Sequence, residues 1–122
     1  MFYIAKKIMK VKEGIVLYNR QPDGCYNGVY TNEHVKGEIY AEILRKKVGQ
    51  AGDGLAGLYD CFYFDMGNER CDATVEIILR APDSTKAKGI FDFIWRALDK
   101  KILFRGTGYQ MNAHQVAVRY ES

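Results

Sequence analysis

The stretch KAKGIFDFIWRALDKKIL, residues 86–103, decides how the rest of the chain is read. Ala87, Ile90, Phe91, Ile94, Leu98 and Ile102 recur at three- and four-residue steps, which predicts the inner stripe of a helix with Trp95 on its flank. Pro82-Asp83-Ser84-Thr85 opens it, and Gly106 and Gly108 end it. Phe93 fits this wheel least well, since it lies away from Phe91. The helix is therefore covered on two sides or meets another protein.

Upstream, Thr31 and Asn32 offer an N-cap to the run HVKGEIYAEILRKKVG. Val35, Ile39, Ile43 and Val48 share a stripe there, Glu42 and Lys46 form an i,i+4 pair, and Gly49 closes the helix. Between the helices, LYDCFYFDM, the turn Gly67-Asn68-Glu69 and ATVEIILRA read as a hairpin, with Ala73, Val75, Ile77 and Leu79 on one face. IVLYNR (15–20) and QVAVRYE (115–121) read as strands, the latter with Val116, Val118 and Tyr120 on one side. QPDGCYNGVY (21–30) is rich in turn formers and reads as a loop. FYIAKKIMKV (2–11) reads as an additional N-terminal strand.

The order strand, helix, strand, strand, helix, strand resembles the split βαβ arrangement of ferredoxin-like folds. The expectation is one α+β domain over residues 1–122, with an antiparallel sheet, an extra N-terminal strand and two helices on one face. A chain of 122 residues supports one sizeable core.

The formal charge of +3 permits anionic partners but falls short of a dedicated nucleic-acid surface. Cys25, Cys61 and Cys71 are odd in number and dispersed, which points to free thiols in a reducing, cytoplasmic setting. No segment has the length and apolarity of a membrane span or a secretory signal, so no membrane partner is expected.

AGDGLAG, residues 51–57, has G-x-G-x-x-G spacing. The dinucleotide motif needs a strand before it and a helix N-terminus after it. On this reading the glycines follow a helix and lead into a strand, and Asp53 adds a repelling charge, so no cofactor is expected. The stronger phosphate candidate is FRGTGYQMNAHQ (104–115), where Arg105, Thr107, Gly108, Tyr109, Gln110, Asn112 and His114 share one short segment. Arg supplies a fork for phosphate, Tyr a stacking face, and the amides can meet a base edge.

Catalytic and metal signatures are absent from the sequence. Cys25 with His34 or His114 could form a thiol–imidazole pair, yet no local motif surrounds them, and two histidines 80 residues apart make no metal set. Asp60 stands among Leu58, Phe62 and Phe64, a position open to a structural or a functional carboxylate. RNA-binding domains share the split βαβ order, but Thr74, Glu76, Ile78 and Arg80 stand where their stacking aromatics would be.

The leading expectation is a non-enzymatic binding or regulatory protein, a homodimer, engaging a nucleotide or nucleic-acid segment through residues 104–115. The second is a protein-interaction module or enzyme inhibitor whose working face holds Phe93, Trp95, Tyr59 and Tyr63. An enzyme without a recognisable motif is the third. Open sheet edges would favour pairing of subunits.

Overall fold

A computed structural model gives the structure of the chain and describes residues 10–35, 37–47, 54–65, 67–80 and 89–122. Its elements are strands β1 (Gly14–Arg20), β2 (Tyr26–Asn32), β3 (Tyr40–Lys46), β4 (Gly57–Phe64), β5 (Arg70–Leu79), β6 (Ile90–Ala97), β7 (Ile102–Gln110) and β8 (Gln115–Glu121). Each pairs antiparallel with the next, and β8 returns to pair with β1, which closes the barrel. Among the described residues no helix is long and apolar enough to cross a membrane.

This overturns the ferredoxin-like α+β expectation with its two helices. Residues 86–103, read as one helix, contain β6, a tight turn and the start of β7. Phe91, Phe93 and Trp95 stand two residues apart and point inward, while Asp92, Ile94 and Arg96 point outward. Both faces of this strand carry apolar residues, so helical spacing arises by coincidence, and the misfit of Phe93 was the trace of a two-residue period. The turn follows at Ala97–Lys101, where Lys100 takes φ 75° and its N–H donates to Ala97 O at 2.8 Å.

The first expected helix is likewise a turn and a strand. Asn32 does cap a backbone N–H, that of His34 at 2.9 Å, but as a turn-former and not as a helix cap. β3 then exposes Ala41, Ile43 and Arg45 and buries Glu42 and Leu44. The expected loop at residues 21–30 is a hairpin turn around Gly24 (φ +87°) followed by β2. Of the 51–57 glycine segment, residues 51–53 lie outside the described residues, while Gly54 to Gly57 lead into β4 and connect strand to strand. The expected N-terminal strand lies outside them except at Lys10 and Val11, which are not in a strand.

An eight-stranded barrel is just wide enough for side chains to fill, and large rings fill this one. Tyr18, Tyr59, Phe93 and Trp95 are buried in its middle with Val16, Leu44, Val75 and Val116. Glycines on neighbouring strands make the room. A Cβ built on Gly108 would sit 2.5 Å from Phe93 Cε1, and one on Gly28 would sit 2.7 Å from the Tyr18 ring. Gly14 faces the Tyr120 ring in the same way, and Gly106 lies under Trp95. Gly106 and Gly108, expected to stop a helix, are inward positions of a strand that seat aromatic rings.

One carboxylate crosses this interior. Glu42 on β3 accepts from Tyr18 Oη (β1), from Cys61 Sγ (β4) at 2.9 Å and from Trp95 Nε1 (β6) at 3.0 Å. Four of the eight strands are thereby tied to one side chain that is 5% exposed. Loss of water raises its carboxyl pKa above the ordinary value, outweighing the three donors that favour the ionised form. Burial and then the Glu42 charge push the Tyr18 hydroxyl and the Cys61 thiol well up. Glu42 was expected to pair with Lys46 along a helix; instead Lys46 Nζ donates to Gly54 O at 2.8 Å.

Candidate ligand site on the outer barrel wall

β6, β7 and β8 alternate in register, so the outward residues of each line up across the wall. Asp92 lies beside Thr107, Thr107 beside Arg119, Ile94 beside Arg105, and Arg105 beside Glu121. With Ile78 of β5 these side chains surround a surface cleft of about 400 Å³. Ile78 and Ile94 give it an apolar component, and the hydroxyl of Thr107 stands between the two arginines.

The charges in the cleft are unevenly used. Arg80 holds Asp92 through Nη2 and through Nε at 3.1 Å, and its Nη2 also donates to Thr107 Oγ1 at 3.2 Å. That bond to Asp92 raises the basicity of Arg80. Asp92 is therefore neutralised within the wall. Arg105 and Arg119, both exposed, make no ion pair or side-chain hydrogen bond with any described residue. Three guanidiniums thus stand around two carboxylates, Asp92 and Glu121, one of which is already taken. No family model, curated protein or solved structure matches this chain.

The residues expected to bind a ligand are divided by the fold. Arg105 and Thr107 face the cleft. Tyr109 is outward on the same strand and 56% exposed, but lies one step along, beside Ala117. Gly108 points inward under Phe93. Gln110 ends the strand, its N–H donating to Gly89 O at 2.8 Å. Asn112 shapes the β7–β8 turn, its Oδ1 accepting from the N–H groups of His114 at 2.9 Å and Gln115 at 3.0 Å. His114 is exposed, and its carbonyl accepts from Arg20 N at 2.7 Å. What looked like one polar loop is a strand, with alternate residues on opposite faces, and a turn.

The aromatics expected on a protein-binding face are mostly interior. Phe93, Trp95 and Tyr59 are 1%, 3% and 1% exposed, each filling the barrel. Tyr63 is half-buried near one barrel end, edge-on to Tyr30 at 6.2 Å between ring centres. The outer wall holds none of the first three. Asp60 points outward and pairs with Lys47 at 2.9 Å.

Arg119 was missed as a cleft residue. Its outward direction followed from the buried set Val116, Val118 and Tyr120 on the same strand. Its place beside Thr107 follows only once β7 is a strand paired to β8. Among the described residues no group of His, Cys, Asp and Glu has the arrangement of a metal site.

Proposed function

We propose that the chain is a binding protein for a phosphate-bearing ligand, a nucleotide or a nucleic-acid segment, held on the β5–β8 wall by Arg105, Arg119 and Thr107. One observation carries this reading: two guanidiniums without a side-chain partner among the described residues flank a hydroxyl on adjacent strands, over a cleft of about 400 Å³. An arginine fork matches phosphate oxygens in pairs. Ile78 and Ile94 supply apolar surface for the less polar part of such a ligand. The reading requires no catalytic group.

Thermal melting with a nucleoside triphosphate, and in parallel with inorganic phosphate, tests it. Ligand at about 100 times its Kd adds roughly 2.7 kcal/mol of apparent stability, enough to raise Tm visibly. Arg105→Ala and Arg119→Ala should each weaken binding by roughly tenfold or more, the worth of a charge-assisted hydrogen bond. If neither compound moves Tm at millimolar concentration, or the double variant binds as wild type does, the reading is refuted.

A further inference from the structure

Tyr109 is set apart from the other tyrosines of the chain. Every other described tyrosine packs against a second aromatic ring inside the barrel or at its ends. Tyr109 has no such partner among the described residues and is 56% exposed, outward on β7. Its Cε2 lies 3.8 Å from the point where Gly89 would carry a Cβ, so the ring rests toward β6 on a residue without a side chain. On the β8 side its register neighbour is Ala117, whose methyl is too short to cover it. Much of an aromatic ring is thus left open to solvent.

That ring continues the cationic cleft. Arg105, Thr107 and Tyr109 are successive outward positions of one strand, each about 7 Å from the next. Arg119 of β8 stands beside Thr107, at a level between Tyr109 and Arg105. A base laid on Tyr109 therefore has its own phosphate within reach of Arg119 and the Thr107 hydroxyl, and the next phosphate within reach of Arg105. Neither acid of the cleft stands beside Tyr109. Asp92 is held by Arg80, and Glu121 is the register partner of Arg105, at the level farthest from the ring.

Three properties choose among anionic ligands. An open ring beside two arginines favours an anion that carries a base over a bare phosphate or a phosphorylated sugar. Stacking on a side chain needs a base that is not already paired and stacked in a helix, which disfavours a duplex. The wall of a closed barrel is convex, so it cannot enclose a free nucleotide as a small-molecule pocket does. A strand compensates by touching such a wall at several nucleotides at once, each contact weak by itself. The overall charge of +3 is modest, and what attracts a backbone here is the pair of guanidiniums without an ion pair among the described residues.

Resting on the phosphate-ligand reading above and narrowing it, we infer that the β7–β8 wall binds a single-stranded nucleic acid. One base stacks on Tyr109, and consecutive phosphates lie on Arg119 with Thr107 and on Arg105.

Fluorescence anisotropy with a labelled thymidylate strand of about 12 nucleotides, and with its uridylate counterpart, tests it. A nucleoside triphosphate, inorganic phosphate and a duplex of equal length are titrated as competitors. At least one of the single strands is expected to bind roughly tenfold or more tighter than any competitor, through its several contacts. Tyr109→Ala should weaken strand binding roughly 5- to 150-fold, the worth of one stacked base, and leave the Tm shift produced by inorganic phosphate unchanged. Tyr109→Phe should bind as wild type does. Arg105→Ala and Arg119→Ala should each lower the slope of log K against log salt by about 0.7, one phosphate contact apiece. Tyr109 is on the outer wall, so circular dichroism should show an intact barrel; if Tyr109→Ala unfolds, Tyr109→Leu replaces it. Strand binding undiminished by loss of the ring overturns the inference, as does a triphosphate, phosphate or duplex that binds as tightly as the strand; in both cases the phosphate-ligand reading stands. No response to any of these ligands removes both.

Discussion

Replacing Glu42 probes the one buried charged side chain among the described residues. Glu42→Ala leaves three buried donors, Tyr18 Oη, Cys61 Sγ and Trp95 Nε1, without an acceptor. Each stranded donor costs roughly 1–3 kcal/mol, least for the weak thiol, and a small cavity is added. These costs overlap, because the donors can relax toward one another, so about 4 kcal/mol is expected in all. A domain of this length has roughly 6–18 kcal/mol in total, so the loss is a large share. With a urea slope of ~1.5 kcal/mol per M, the unfolding midpoint should fall by about 2–3 M. Glu42→Gln behaves differently. It keeps an acceptor for Trp95 and Cys61, and the Tyr18 hydroxyl can turn to accept from the new amide, so a cost of about 1 kcal/mol or less is expected.

Trp95 is the single tryptophan and bonds to Glu42 directly, so its fluorescence reports the transition. A midpoint moved by less than about 0.5 M in Glu42→Ala, or a Glu42→Gln variant as costly as Glu42→Ala, would refute the bracing role of Glu42. pH adds a second readout. The folded-state pKa of Glu42 is raised, so the native state holds this proton more tightly than the unfolded chain does. That stability is fully present below the ordinary carboxyl value of 4.5 and is lost as pH rises through the folded value. Wild type should therefore lose stability relative to Glu42→Gln as pH climbs from 4.5, and a constant difference between them would contradict the assigned burial.

Two further outcomes concern the interior. Gly108→Ala forces a methyl to within 2.5 Å of Phe93 Cε1, whereas Gly54→Ala meets nothing within 4 Å. The first should cost about 1–3 kcal/mol and several degrees of Tm, the second close to nothing; equal effects would remove the ring-seating role of Gly108. Cys61 is fully buried and its thiol is pushed up by burial and by Glu42, while Cys25 and Cys71 are partly exposed. A disulfide reagent should therefore label Cys25 and Cys71 first and Cys61 only on opening of the barrel, and one common rate for all three would contradict this.

Much of the local structure was legible. β5 and the closing strand β8 announced themselves by alternation, because each has one polar and one apolar face, and β4 was read as the other half of the hairpin through the turn at Gly67-Asn68-Glu69. β6 did not, since Ile90 and Ile94 stand outside while Phe91, Phe93 and Trp95 stand inside. With apolar residues on both faces, two-residue and helical periods overlap over eight residues. β2 was hidden for another reason: Gly28 lies within it, where a glycine weakens a strand unless a ring, here Tyr18, takes the space. The same applies to Gly106 and Gly108 in β7, and with β7 read as a loop the Arg105–Arg119 cleft could not be assembled.

The sequence by itself determined the turn at Gly67-Asn68-Glu69, the alternation of β5 and β8, the arginine and hydroxyl at 105 and 107, and the abundance of rings that some core had to hold. Those are properties of a residue and its near neighbours. Only the tertiary structure decided that every strand meets the next and the last meets the first, because closure depends on pairing between residues as distant as Gly14 and Tyr120. Closure is also what assigned inside and outside. It turned the glycines into seats for rings, made Glu42 a buried cross-brace, and set Arg119 beside Thr107 on the wall.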